Sequence, residues 1–266
     1  MNLIAIDIGN TNISVGLYLD NAEKFIETIS GADERAYAKL LVSTWQQIPF
    51  VSGAKVEKRD GTIIVSSVND QWTKMTADIC GRDLDEKIKV IGKDIPLPME
   101  TGLANPHNIG TDRIVSAAAA FAVVEDAVVI ADFGTAFTID LVDEEGVFTG
   151  GIIAPGFGLS AKALQTGTAK LPKVEIAKPV NPVGSNTADA IKSGLYYGAI
   201  GLLETVCRKF SEQIGKWPQV VLTGGAAAVI KDDCDFVDSW VPNLAVRGVV
   251  LTYQKYLDDQ SQIAEM

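Results

Sequence analysis

A single histidine, His107, serves the whole 266-residue chain. It has no serine or cysteine partner in a recognisable arrangement, which argues against a hydrolytic triad and a histidine-rich metal centre. It reads instead as a loop residue near the site. The three cysteines, Cys80, Cys207 and Cys234, are odd in number, far apart and without a C-x-x-C pair. That spacing argues against a disulfide framework or a zinc site. No apolar run reaches the roughly 20 residues that a membrane-spanning helix needs. Met1, Asn2 and Leu3 lead straight into an apolar strand, with no basic segment or cleavage signal, which predicts a cytoplasmic protein with no membrane partner. Positive charge is scarce as well: 23 Lys and Arg face 34 Asp and Glu, for a net charge of −11. A general nucleic-acid binder needs a basic face to displace counterions, so no nucleic-acid partner is expected. A nucleotide enzyme remains compatible, because metal ions neutralise phosphates locally.

What is present looks like an ordinary soluble α/β protein, 47% hydrophobic and 21% charged, close to the average for globular chains. Strands are expected at 3–8, 13–19 and 24–29, with a turn at Asp20, Asn21 and Ala22. A helix follows over 33–47, with Leu40, Leu41, Thr44 and Ile48 on one face. "GTIIVSSV" (61–68) reads as a buried strand, 70–80 as a helix and 87–92 as a short strand. Pro96, Pro98 and Pro106 mark a loop over 93–110, and 111–126 is a strong helix opened by Thr111 or Asp112. The pattern then restarts. "VVIADFGTAFTIDLVD" (128–143) repeats the opening "IAIDIGNTNISVGLYLD" (4–20): an apolar strand, Asp-x-Gly, a threonine, an alternating strand. After a turn at "DEEG" (143–146) comes a third strand over 147–153. Helices at 159–167 and 187–214, a proline-punctuated loop at 172–183, a strand at 218–223 and helices at 226–231 and 243–258 complete the chain. A duplicated unit with an aspartate at the same point, Asp7 and Asp132, predicts two similar domains, 1–116 and 117–266.

Taken alone, the polar turn after Asp7 reads equally as a β-hairpin or as a phosphate cradle. Gly9 admits close ligand approach, and Asn10, Thr11 and Asn12 add donors beside backbone N–H groups. The second D-x-G-T tilts the balance toward function. "LTGG" (222–225) is a strand-to-helix turn on which a nucleotide base and ribose can rest. Asp112 suits a helix N-terminus, which keeps a carboxylate ionised and therefore weakly basic; Arg113 does not, and a planar guanidinium aimed at a substrate carboxylate explains it. Asn186 or Thr187 caps the long helix. Gly194, Gly198 and Gly201 in that helix permit close packing, either in the core or across a dimer.

The ordered set "DIGNT", "GTDR", "DFGTAFT", "GGIIAPG", "TAKLP", "VGSNT" and "LTGG" resembles the type III pantothenate kinases, of the acetate kinase, sugar kinase, Hsp70 and actin superfamily. The resemblance covers nearly the whole chain. It implies two duplicated ribonuclease-H-like domains around a nucleotide cleft, and ATP-dependent phosphorylation of pantothenate on the way to coenzyme A. By resemblance, Asp7, Ile8, Gly9, Asn10, Thr11, Asn12, Ile13 and Ser14 form the first phosphate loop, with Asp7 near Mg2+. Gly110, Thr111, Asp112 and Arg113 contact pantothenate, with Asp112 as catalytic base. Asp132 holds a monovalent cation, K+ or NH4+, Thr135 touches ATP, and Thr187 reaches pantothenate across a homodimer interface. Three positions depart from the family pattern. Thr111 stands where alanine is usual, Phe137 where threonine is usual, and Leu103 where a pantothenate-contacting tyrosine is common. Leu103 keeps two alternatives open, a regulatory relative without catalysis and a phosphotransferase for another small molecule.

Overall fold

The computed structural model describes residues 1–51, 53, 58–105 and 109–265. Its chain divides into two compact units. The first gathers Met1–Glu100, Ala104–Ala119 and Asn243–Met266, and the second Thr101–Leu103 and Ala120–Pro242.

In the first unit, β1 (Leu3–Ile8), β2 (Asn12–Leu19) and β3 (Ala22–Ser30) form an antiparallel meander. Its second turn is built by Asp20 and Asn21, both at positive φ (53° and 64°), the left-handed pair that a two-residue hairpin demands. Helix α1 (Glu34–Trp45) follows, capped by Asp33, then β4 (Thr62–Ser67) and α2 (Asp70–Ile79), capped by Asn69. A π-helical turn, Cys80–Leu84, extends α2, and β5 (Ile88–Val90) closes the sheet in the order β3-β2-β1-β4-β5. Both β4 and β5 run parallel to β1. Alternation along β1 divides the core in two. Ile4, Ile6 and Ile8 pack with Tyr37, Leu41 and Trp45 of α1 on one face. Leu3 and Ala5 pack with Ile64, Val115 and Val249 on the other.

The second unit repeats the plan. Helix α3 (Thr111–Val124) leads from the first unit into it, followed by β6 (Val128–Phe133), β7 (Ala136–Val142) and β8 (Phe148–Pro155). After α4 (Phe157–Thr166) and α5 (Thr187–Ile214) come β9 (Gln219–Thr223) and β10 (Ser239–Trp240). The sheet order is β10-β9-β6-β7-β8, with β9 parallel and β7 antiparallel to β6. Read from the other edge, it is the first sheet's order with every strand number raised by five. Phe133, Phe137, Ile139 and Leu222 meet Tyr196 and Leu203 of α5 in its core. The expected duplicated α/β architecture is therefore present, each half with the mixed five-stranded sheet of a ribonuclease-H-like domain.

Two of the expected elements change. The helix expected at 226–231 is a pair of 3-10 turns, Ala227–Val229 and Lys231–Asp233. The last helix, α6 (Leu244–Glu265), runs longer than expected and groups with the first unit. The division drawn at 116/117 falls inside α3. None of the helices among the described residues is long and apolar enough to cross a membrane. All three cysteines are buried and free. Burial pushes the Cys80 and Cys207 thiols up to about 12 and Cys234 to about 11, which leaves them unreactive.

Candidate active site

The turn after Asp7 is a hairpin. The Gly9 N–H donates to the Asn12 carbonyl at 3.0 Å, and Ile8 pairs with Ile13. Asn10, Thr11 and Asn12 are exposed at the tip of this hairpin. Its counterpart in the second unit is one residue tighter: the Gly134 N–H donates to the Ala136 carbonyl at 3.1 Å, and Phe133 pairs with Phe137. Thr135 is exposed at that tip. Neither Gly9 nor Gly134 takes a positive φ. The need is for space: a Cβ on Gly9 would stand 3.3 Å from the Asn12 carbonyl oxygen. Phe137, the departure from the family's threonine, is a core residue whose ring lies tilted against that of Phe133, the centroids 4.1 Å apart.

Strand register exposes a likeness between the halves that the linear sequence conceals. Asp7 lies on the middle strand, directly across from Ser14 on one side and Ser66 on the other. Asp132 lies likewise between Thr138 and Thr223. Directly paired residues point to one face of a sheet, so each carboxylate is flanked by two hydroxyl side chains. Ser66 and Thr223 escaped the sequence reading because their partners are far away along the chain, whereas Thr138 faces Asp132 across its own hairpin. The only available signal was a serine or threonine at the end of an apolar strand. Each set offers oxygen donors alone, the chemistry of hard cations.

The face of β1 that carries Asp7 also carries Leu3 and Ala5, which pack against Val115 of α3. Here the structure brings the first hairpin and the "GTDR" segment to one face of the first sheet. Thr111 makes the join. Its Oγ1 accepts from the Ser67 N–H at 3.0 Å, donates to the Ser67 carbonyl at 3.0 Å and lies 3.2 Å from Ser66 Oγ. Asp112 Oδ1 accepts from the Arg113 N–H at 2.8 Å. Gly110 makes room for that arrangement, since a Cβ there would stand 2.5 Å from Asp112 Oδ1.

Burial pushes the Asp112 carboxyl above the ordinary carboxylate value; the Arg113 N–H and guanidinium pull it back only in part. The sequence expectation of a helix-end carboxylate kept weakly basic is thereby reversed. The cause is desolvation by tertiary packing, which helix position does not encode.

The remaining expected residues lie in the second unit. Asp132 sits at the end of β6, and a Cβ on Gly224, at φ 93°, would collide with its Oδ1. Asn186, not Thr187, caps α5: its side chain accepts from the Asp189 N–H at 3.0 Å and donates to Asp189 Oδ2 at 2.7 Å. Thr187 is the exposed first residue of that helix. Leu103 lies over Gly150 of β8, its Cδ2 3.5 Å from where a Cβ would be. The Gly102 N–H fixes this segment by donating to the Phe148 carbonyl at 3.0 Å. His107 lies outside the described residues.

Comparison with known proteins adds the family. The crystal structure of a Campylobacter jejuni protein assigned to the Baf family of transcriptional activators superposes with a TM-score of 0.60. It covers 97% of this chain and 100% of its own at 18% identity, a likeness of fold. The type III pantothenate kinase of Dehalococcoides mccartyi (strain ATCC BAA-2266 / KCTC 15142 / 195) is 36% identical over 95% of this chain and 97% of its own. That of Brevibacillus brevis (strain 47 / JCM 6285 / NBRC 100599) is 35% identical over 95% and 98%. The family profile for type III pantothenate kinase matches residues 3–209. On a match spanning both D-x-G hairpins, "GTDR" and most of α5, the chain belongs to the type III pantothenate kinase family.

Proposed function

We propose that this protein transfers the γ-phosphoryl group of ATP to the primary hydroxyl of pantothenate, forming 4′-phosphopantothenate on the way to coenzyme A. The observation that carries this reading is the meeting of the Asp7 hairpin and the Asp112 helix start on one face of the first sheet. A phosphate cradle and a buried base belong together in a kinase.

Pantothenate would be held through its carboxylate by Arg113, with its hydroxyl beside Asp112. Asp112 takes the hydroxyl proton while the oxygen bonds to the γ-phosphorus. The bond from that phosphorus to the bridging oxygen breaks, and ADP leaves with the electron pair. A loose transition state asks little of the base, and the raised affinity of Asp112 for protons meets that demand. The polar groups of the hairpin at 9–12 serve the phosphates, and Thr135 touches ATP as the family resemblance implies. Asp7, flanked by Ser14 and Ser66, fits Mg2+; Asp132, flanked by Thr138 and Thr223, fits K+ or NH4+. Bound there, the ions would neutralise phosphate charge as it shifts toward the leaving oxygen.

The test is ADP release by purified protein with ATP and magnesium, with and without pantothenate and potassium. Pantothenate-dependent release that rises with potassium is expected. Folded protein that releases none in any cation overturns the reading, and a regulatory relative or another hydroxyl substrate takes its place.

The homodimer belongs to the same proposal. On α5, Cβ atoms at Gly194, Gly198 and Gly201 would meet nothing within 4 Å, so these glycines serve no close packing inside the unit. Beside the start of α5, Val180 is 96% exposed and Val183 82%. Their segment is tied to the helix by Ser193 Oγ donating to the Asn181 carbonyl at 3.3 Å. A second copy is the natural cover for such a surface. Gly198→Arg is expected to turn a dimer into a folded monomer in sedimentation velocity and to weaken pantothenate binding through loss of the partner's Thr187. A variant that remains dimeric removes this face from the interface.

A further inference from the structure

We propose that Thr111 is a positioning residue, whose side-chain hydroxyl holds the start of α3 against the end of β4 and thereby fixes Asp112 and Arg113. The inference rests on the kinase reading above and departs from the resemblance, which makes Thr111 a substrate contact.

The hydroxyl is fully committed. A threonine Oγ has one proton to give and two lone pairs. The proton goes to the Ser67 carbonyl, and the lone pairs receive the Ser67 N–H and the Ser66 hydroxyl. Nothing remains for a substrate. The two Ser67 backbone groups lie on the edge of β4 that β5 would cover, but β5 ends at Val90, opposite Val65. The last backbone bond there runs from the Ile91 N–H to the Val65 carbonyl, at 2.9 Å. Thr111 thus does for Ser67 what the next residue of a longer β5 would do. Ser67 in turn is paired with Ile8, and Ser66 with Asp7. One side chain therefore links the helix start bearing the base to the strands bearing the phosphate hairpin. The first turn of a helix lacks intrahelical partners for its N–H groups and frays most readily, so an anchor at its first residue controls the two that follow.

Thr111→Val keeps the shape and excludes water but removes the hydroxyl; Thr111→Ser keeps it. The valine variant is expected to lose about tenfold in kcat with the KM for ATP unchanged, as a small misplacement of a reacting group does. The serine variant should return to within about twofold of the parent. A valine variant with the parent's kcat overturns the proposal. Amide hydrogen exchange at 111–114 provides a reading independent of catalysis. Exchange should quicken in the valine variant and not in the serine variant; unchanged exchange overturns the clamp. If the parent itself shows no pantothenate-dependent turnover, the kinase reading fails, and exchange still decides whether the hydroxyl anchors the helix.

Discussion

Asp112→Asn abolishes most turnover without weakening the fold. Loss of a general base costs about 10²–10⁴-fold in kcat, and ATP affinity stays near the parent's, because the phosphate-facing residues are elsewhere. Stability should move the other way. Burial holds the Asp112 carboxyl above its ordinary value, so the folded state binds that proton more tightly than the unfolded state does. The stabilising contribution is complete at pH below the unfolded carboxyl's value and is lost as pH rises through the folded one. Above that range the buried carboxyl is therefore a burden that asparagine removes, while the asparagine oxygen still accepts the Arg113 N–H. Calorimetry at pH 7 should give the variant an equal or higher Tm, with the difference shrinking by pH 4. A variant with the parent's kcat removes Asp112 from the base role; one with a sharply lower Tm at pH 7 removes the burial account.

Gly224→Ala is expected to destabilise the second unit strongly. The added Cβ would collide with Asp132 Oδ1 and stand 2.6 Å from the backbone N and C of Phe133, at a φ of 93°. Backbone cannot retreat as a side chain end can. Left-handed strain and overpacking together come to about 3 kcal/mol, on the order of 10 °C in Tm for a unit of this size. Potassium stimulation should vanish with it, because the carboxylate struck is the one proposed for the cation. Gly225→Ala is the control, since a Cβ there would meet open space. Equal Tm values for the two variants would show that the Asp132 carboxylate and the Phe133 backbone yield more than their packing implies.

Much of the fold was written locally. The bounds of α5 follow from Asn186 before it and Gly215 after it, at φ 77°; both are end signals in the sequence itself. The duplication is legible because the D-x-G hairpins are short-range structures. What escaped was set by distant partners. The second hydroxyl beside each aspartate, Ser66 beside Asp7 and Thr223 beside Asp132, comes from a parallel strand, whose crossover gives no sequence clue to register. The short β10 has two residues and no pattern to read. The stretch 226–231 is alanine-rich, so propensity favours an α-helix, yet it is tied down by Ala226 donating to the Phe133 carbonyl and forms 3-10 turns instead. Thr111 looked like a substrate residue because its motif neighbours do; only the end of β5 reveals what its hydroxyl satisfies.

The placement of α6 bears on how the chain folds as it is made. Val246, Val249 and Tyr253 cover the face of the first sheet that holds Leu3, Ala5 and Ile64. Gly248 brings the helix backbone against the Val115 carbonyl, and Val246 fills the space beside Gly16. These partners precede the second unit in the chain, and α6 follows it. The second unit, whose segments end at Pro242, is complete in sequence before α6 exists. Domains fold as their chain becomes available, so the half that begins first is the half that finishes last. Until α6 is made, the nascent chain leaves this apolar face of the first sheet uncovered and open to whatever chaperone attends it.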